Sequence, residues 1–109
     1  MTGHTLDQLA ALIAARRQAA SDKSYTRQLL DAGPERCAKK FGEEAVEAVI
    51  ASVGTDLEAL KGEAADVLFH LIVLLESRGV ALADVCATLE KRMEQSGLDE
   101  KASRGPGKP

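Results

Sequence analysis

Two acidic pairs carry the chemistry this sequence offers: Glu44-Ala-Val-Glu47 and Glu63-Ala-Ala-Asp66. A three-residue spacing puts both carboxylates of a pair on one side of a helix. Around those helices the acids have apolar neighbours, Phe41 and Ala48 beside Glu44 and Val73 beside Asp66, so they do not form a separate solvent face. Gly54-Thr55 lies between the pairs and predicts a hairpin turn. Glu47 and Glu63 are almost equally distant from that turn, as are Glu44 and Asp66, so at about 1.5 Å per residue the pairs stand at nearly the same height. Two antiparallel helices folded there bring four carboxylates together. Such a cluster repels itself and raises its own pKa values, and a divalent cation relieves it. All-oxygen ligands favour magnesium or manganese over zinc, and magnesium binds phosphate oxygens and polarises water. A di-iron site would need Glu-x-x-His on its helices, and neither pair is followed in that way.

The elements that must position these acids are all helical. Thr5-Leu-Asp-Gln8 has the pattern of a capping box and, with Leu6, Leu9, Leu12 and Ile13 at helical spacing, predicts a first helix over 6–18. A second, short helix starts near Ser24 and ends at Gly33, which can take a left-handed conformation; Pro34 then suits a first helical position. A third helix is predicted over 35–53 and a fourth over 57–78, with Thr55 or Asp56 as its N-cap. The fourth is apolar on nearly every side from Ala64 to Leu75, which predicts burial all round. Gly79 ends it, Asp84 starts or strengthens a fifth helix, and Ser96-Gly97 breaks that one. Met93 reads as core. There is no strand-like alternation and no internal repeat. The expected architecture is an all-α bundle of four to five helices, with one domain over 1–95 and a tail over 96–109. Helices three and four carry more apolar surface than the rest of so short a chain can cover, so the bundle is expected to be completed by a second copy, most simply as a two-fold homodimer.

Bulk properties narrow the function classes. The chain has 109 residues, 45% of them apolar, but only three aromatics, so Ala, Val and Leu must fill the core. A net charge of −3 excludes a general nucleic-acid binder, which needs a basic face, while a metal can still supply local positive charge for a phosphorylated substrate. The two cysteines, Cys37 and Cys86, form no CxxC motif; they read as small buried residues in a reducing compartment. No signal peptide or membrane span is predicted, so the expectation is a cytoplasmic protein.

Lys40-Phe-Gly-Glu-Glu-Ala-Val-Glu47 followed by Glu63-Ala-Ala-Asp66 resembles the ExxE…ExxD signature of the MazG-like all-α nucleoside triphosphate pyrophosphohydrolases. Ser24-Tyr-Thr-Arg-Gln-Leu-Leu-Asp-Ala-Gly-Pro-Glu-Arg36 and the stretch from Arg92 through Ser96-Gly-Leu-Asp-Glu-Lys-Ala-Ser-Arg104 look more specifically like the phosphoribosyl-ATP pyrophosphatase family. The resemblance covers about residues 6–104. It implies conversion of phosphoribosyl-ATP and water to phosphoribosyl-AMP and pyrophosphate, the second step of histidine biosynthesis, by a magnesium-dependent dimer. Some members are fused to the cyclohydrolase of the next step. This chain is too short for that domain, so a functional link to a separate cyclohydrolase is expected.

The resemblance implies that Glu44, Glu47, Glu63 and Asp66 are the metal ligands. Glu43, the extra acid beside the first pair, is a candidate to orient or deprotonate the attacking water, which makes Glu43, Glu44 and Glu47 the catalytic set. Lys39 and Lys40 are candidates for substrate phosphates, although Lys40, one turn before Glu44, can instead neutralise it. Ser24, Tyr25 and Thr26 offer hydroxyls near a helix start, a natural phosphate site, or alternatively a cap and a packed ring. Arg92 and Arg104 are implied contacts to the ribose phosphate. Lys101, Ser103 and Arg104 read as a closing flap or a disordered end. His70, one turn after Asp66, reads as a satisfied core histidine or as a hydrogen-bond partner of a ligand carboxylate. Two rivals stand beside this reading: a house-cleaning pyrophosphohydrolase of other nucleoside triphosphates, and a non-catalytic helical dimerisation module.

Overall fold

Small aliphatic side chains at helical spacing, separated by short glycine- or aspartate-marked breaks, leave this chain few options besides packed helices. The computed structural model describes residues 2–19, 21 and 23–95. It contains α1 (Thr2–Gln18), α2 (Tyr25–Ala32), α3 (Pro34–Ser52), α4 (Leu57–Ser77) and α5 (Leu82–Glu94), with no strand among the described residues. The tail over 96–109, and with it the expected flap, lies outside them.

The breaks are set by side-chain chemistry. Ser24 caps α2, its Oγ accepting from the Arg27 amide at 3.1 Å. Asp56, not Thr55, caps α4, accepting from the amides of Glu58 and Ala59 at 3.1 and 3.2 Å; each bond satisfies a donor with no partner inside the helix. Gly33 ends α2 and begins α3 at once. Its φ of 99° and ψ of 171° are extended and mirror-image, not the left-handed helical values expected, and only glycine tolerates them readily. Pro34 follows at the first turn of α3, where its missing amide costs nothing. One expected helix start needs correcting. The first helix begins at Thr2, so Thr5 sits inside it and the capping-box pattern marks no boundary. The fifth begins at Leu82 with Asp84 in its first turn, so of its two readings Asp84 takes the strengthening one.

α3 and α4 form the antiparallel hairpin that the Gly54-Thr55 turn predicts, and α1 and α2 pack against it. The core lies where these helices meet: Ile13, Leu29, Cys37, Ile72 and Val73 are buried, with Leu6, Leu9, Phe69, Leu74 and Leu82 packed around them. The Cys37 thiol donates to the Leu29 carbonyl at 3.2 Å, tying α3 to α2, and burial pushes that thiol pKa up. Cys86 is half-buried, and neither cysteine is in a disulfide. Two arginines fasten the periphery. Arg17 bonds the Glu76 carboxylate at 3.1 Å and the Glu76 carbonyl, and Arg27 bonds Asp31 at 2.9 Å and the Ala19 carbonyl.

The core is small, and a large apolar surface is left over. Val46, Val49 and Ile50 on α3, Val53 just past its end and Leu57 at the start of α4 are all more than half exposed. α4 is not buried all round in the single chain: Ala64, Ala65 and Leu68 are exposed. Met93 is 74% exposed and is not core. No helix among the described residues is long and apolar enough to cross a membrane.

Candidate functional site

The α3–α4 hairpin brings three of the four sequence-predicted ligands together. Glu44, Glu63 and Asp66 each offer a carboxylate oxygen, and these oxygens lie within 4.8 Å of one another. Spacing on the two helices explains it: Glu63 and Asp66 project from one side of α4 toward the side of α3 that holds Glu44. Glu47 is not part of this tight group. It lines, with Lys40, Glu43, Glu44, Val46 and Ile50, an open cleft of about 480 Å³ that runs along α3 beside the acids.

Electrostatics describe the same cluster. The Glu63 carboxyl is pushed above the ordinary carboxylate range, first by loss of hydration and then by the negative charges of Glu47, Asp66 and Glu44. Glu47 thus acts on Glu63 across the hairpin although it stands outside the tightest group. A Glu63 carboxyl hindered in its ionisation by neighbours that all present oxygen suits a hard divalent cation that would replace its proton. An acidic cluster able to hold a metal is present.

Lys40 sits at the edge of the cluster. Its Nζ lies 3.4 Å from Glu43 and 3.9 Å from Glu44. Its pKa is raised, chiefly by the neighbouring Tyr25 and also by Glu43 and Glu44. Of its two sequence readings, the neutralising one is realised in the structure. Lys39 is exposed and does not line the cleft.

The α2 hydroxyls separate in role. Ser24 is the helix cap, Thr26 is buried at 7% exposure, and Tyr25 is half exposed with its ring edge-on to His70 at 6.0 Å. Arg92 is exposed on α5 and lines neither of the clefts described for this chain. Arg104, with Lys101 and Ser103, lies outside the described residues.

His70 departs from the satisfied core residue that was one reading of it. It is 6% exposed, wedged edge-on between Tyr25 and Phe69. Its Nδ1 is buried without a hydrogen-bond partner. Its pKa is lowered by burial, against the opposing pull of Glu44 and Asp66, which disfavours the charged form of the ring. A buried orphan nitrogen is uncommon in a folded protein. Its place one turn from Asp66 was the only sequence signal for it.

A model of the family described as phosphoribosyl-ATP pyrophosphohydrolase matches residues 6–93. The phosphoribosyl-ATP pyrophosphatase 1 of Rhodopseudomonas palustris is 59% identical over 104 residues, covering 95% of this chain and 97% of that protein. The phosphoribosyl-ATP pyrophosphatase of Dinoroseobacter shibae is also 59% identical, over 91% of this chain and 97% of its own. That of Methylobacterium radiotolerans is 56% identical over 97% and 99%. The match runs through every helix described above, and with it this chain belongs to the phosphoribosyl-ATP pyrophosphohydrolase family.

Proposed function

We propose that the protein hydrolyses phosphoribosyl-ATP to phosphoribosyl-AMP and pyrophosphate, the second step of histidine biosynthesis. The observation that carries this is the convergence of Glu44, Glu63 and Asp66 across the hairpin in a chain whose relatives bear the name of that activity.

Magnesium, with manganese as a substitute, is the cation this all-oxygen donor set fits. Glu44, Glu63 and Asp66 would hold it directly, and Glu47, on the cleft wall, would complete the set. Bound there, the cation would offset phosphate charge and activate a water for attack at the α–β linkage. Glu43 is exposed beside Glu44 and orients or deprotonates that water. Lys40 tethers Glu43 and Glu44 in the absence of substrate and turns toward phosphate oxygens when they arrive; Lys39 supports it from the next position. Tyr25 contacts substrate from the α2 side, with Ser24 and Thr26 fixing the helix start that presents it. Arg92 and Arg104 extend the reading to the ribose phosphate. The open apolar strip of Val46, Val49, Ile50 and Val53 is covered by a second copy in a homodimer, and the product passes to a cyclohydrolase in the cytoplasm.

The test is pyrophosphate release from phosphoribosyl-ATP with magnesium, with EDTA, and after Asp66→Asn or Glu47→Gln. Loss of a partner that only orients a ligand already costs about 10–100-fold, so loss of Asp66 should exceed a hundredfold. Release that survives both substitutions would remove the ligand assignment. Equal turnover of ordinary nucleoside triphosphates would point to the house-cleaning activity instead.

A further inference from the structure

A second cleft, of about 270 Å³, opens where α2 runs into α3 and is lined by Tyr25, Gln28, Leu29, Ala32 and Arg36. Its chemistry is the reverse of the acid site. No carboxylate lines it, and Arg36 has neither an ion pair nor a hydrogen bond among the described residues. Arg17 and Arg27 are both engaged, so Arg36 presents the planar fork that matches a phosphate. The cleft is smaller than the roughly 300–1,000 Å³ of a complete small-molecule site. It suits one end of a ligand.

The other end is set by the helix. At 3.6 residues per turn, Lys40, Glu43 and Glu47 fall within about 40° of Arg36 around α3, and Glu44 within about 80°. Arg36 stands about 12 Å from Glu44 along the axis. One stripe of one helix therefore runs from a free guanidinium to a metal-binding cluster. Tyr25 bridges them, lining the Arg36 cleft while lying close enough to Lys40 to be the largest influence on its charge. Phosphoribosyl-ATP has a matching pair of anionic ends: the triphosphate, and the phosphate of the added phosphoribosyl group. An ordinary nucleoside triphosphate has only the first.

We propose that the cleft at the α2–α3 junction is the subsite for the phosphoribosyl phosphate, and that Arg36 selects a substrate carrying that second phosphate over an ordinary nucleoside triphosphate. This rests on the activity proposed above and assigns the substrate's two ends to two places on α3. Arg36 takes the phosphate in place of the Arg92 and Arg104 reading given above, since Arg92 lines neither cleft, and the Gln28 amide and Tyr25 hydroxyl face the sugar between.

The experiment is steady-state kinetics with phosphoribosyl-ATP, and with ATP as a competing ligand, on Arg36→Gln, Arg36→Lys and Ala32→Leu. Circular dichroism checks that each variant is folded. Losing a charge-assisted hydrogen-bond pair should raise KM for phosphoribosyl-ATP about ten- to a hundredfold. Inhibition by ATP should move less than about threefold, since ATP lacks the second phosphate. Arg36→Lys keeps the charge without the fork and should fall between. Ala32→Leu fills the cleft without touching the charge and should give the same selective loss. An unchanged KM in Arg36→Gln and Ala32→Leu overturns the subsite, and so does an equal loss for both nucleotides. If the unmodified protein does not release pyrophosphate from phosphoribosyl-ATP, the activity has failed, and the subsite is judged separately by NMR titration with ribose 5-phosphate. Shifts at Tyr25, Gln28 and Arg36 that Arg36→Gln abolishes uphold it; no shifts at millimolar ligand overturn it.

Discussion

Val49 offers the sharpest test of how this chain is completed. It is 65% exposed, in the middle of the apolar strip of α3, and it does not line the acid cleft. Val49→Ala removes two carbons, each contributing about 0.8 kcal/mol when buried. Scaled by the fraction that a partner would newly cover, the loss is about 1 kcal/mol per subunit. A two-fold interface contains the position twice, so the dimer should weaken by about 2 kcal/mol, or about thirtyfold in dissociation constant. Sedimentation velocity over a concentration series measures it. The helix should be intact in the variant, because alanine is the better helix former. An unmodified protein that is monomeric at micromolar concentration, or a variant whose dissociation constant moves less than about threefold, would refute the reasoning and leave the strip as plain solvent-facing surface.

Three further outcomes are expected. Gly33→Ala should cost about 1–3 kcal/mol in denaturant unfolding; no atom lies within 4 Å of the added carbon, so the cost is backbone strain and not a clash. Burial lowers the His70 pKa below its ordinary 6.5. The unfolded chain therefore takes up a proton first, and the stability contributed by His70 is present above 6.5 and is lost as pH falls through the lower folded value; His70→Phe should flatten that part of the Tm profile. Glu63 has the opposite sign. Its folded pKa is raised above 4.5, so without a cation its contribution is full below 4.5 and is lost as pH rises through the raised value. Magnesium replaces that proton, so the rise in Tm on adding magnesium should be larger well above 4.5 than near it, and Glu63→Gln should reduce it.

The helices and the hairpin were legible because their signals are local. Asp56 caps with its own carboxylate, Pro34 fits a first turn, and two acid pairs equidistant from Gly54-Thr55 had to meet once the turn closed. What the sequence hid depends on neighbours far away along the chain. The acids divide unevenly, Glu44 converging with α4 while Glu47 stands on the cleft wall, because the relative rotation of two helices is decided by packing and not by spacing. Met93 has the apolar character of a core residue, yet α5 packs only at the edge of the bundle and leaves it outside. Thr5 and Gln8 form a capping pattern that the chain overrides by continuing the helix back to Thr2. The Arg36 cleft arises only from the angle between α2 and α3, and no motif announces it.

All of the converging acids lie on one hairpin, joined by the short break at residues 53–56. Bringing them together requires closing only a short loop, whereas seating α1 and α5 requires contacts across much of the chain. Loop-closure entropy grows with the length enclosed, and local contacts form early. The acidic cluster is therefore expected to assemble while the rest of the chain is still being organised, so that its repulsion would act on the path to the native state as well as on the finished molecule. A cation that neutralises the cluster at that stage should accelerate refolding in stopped-flow measurements instead of merely slowing unfolding, which would make the ion that the finished site is built to hold a participant in its assembly.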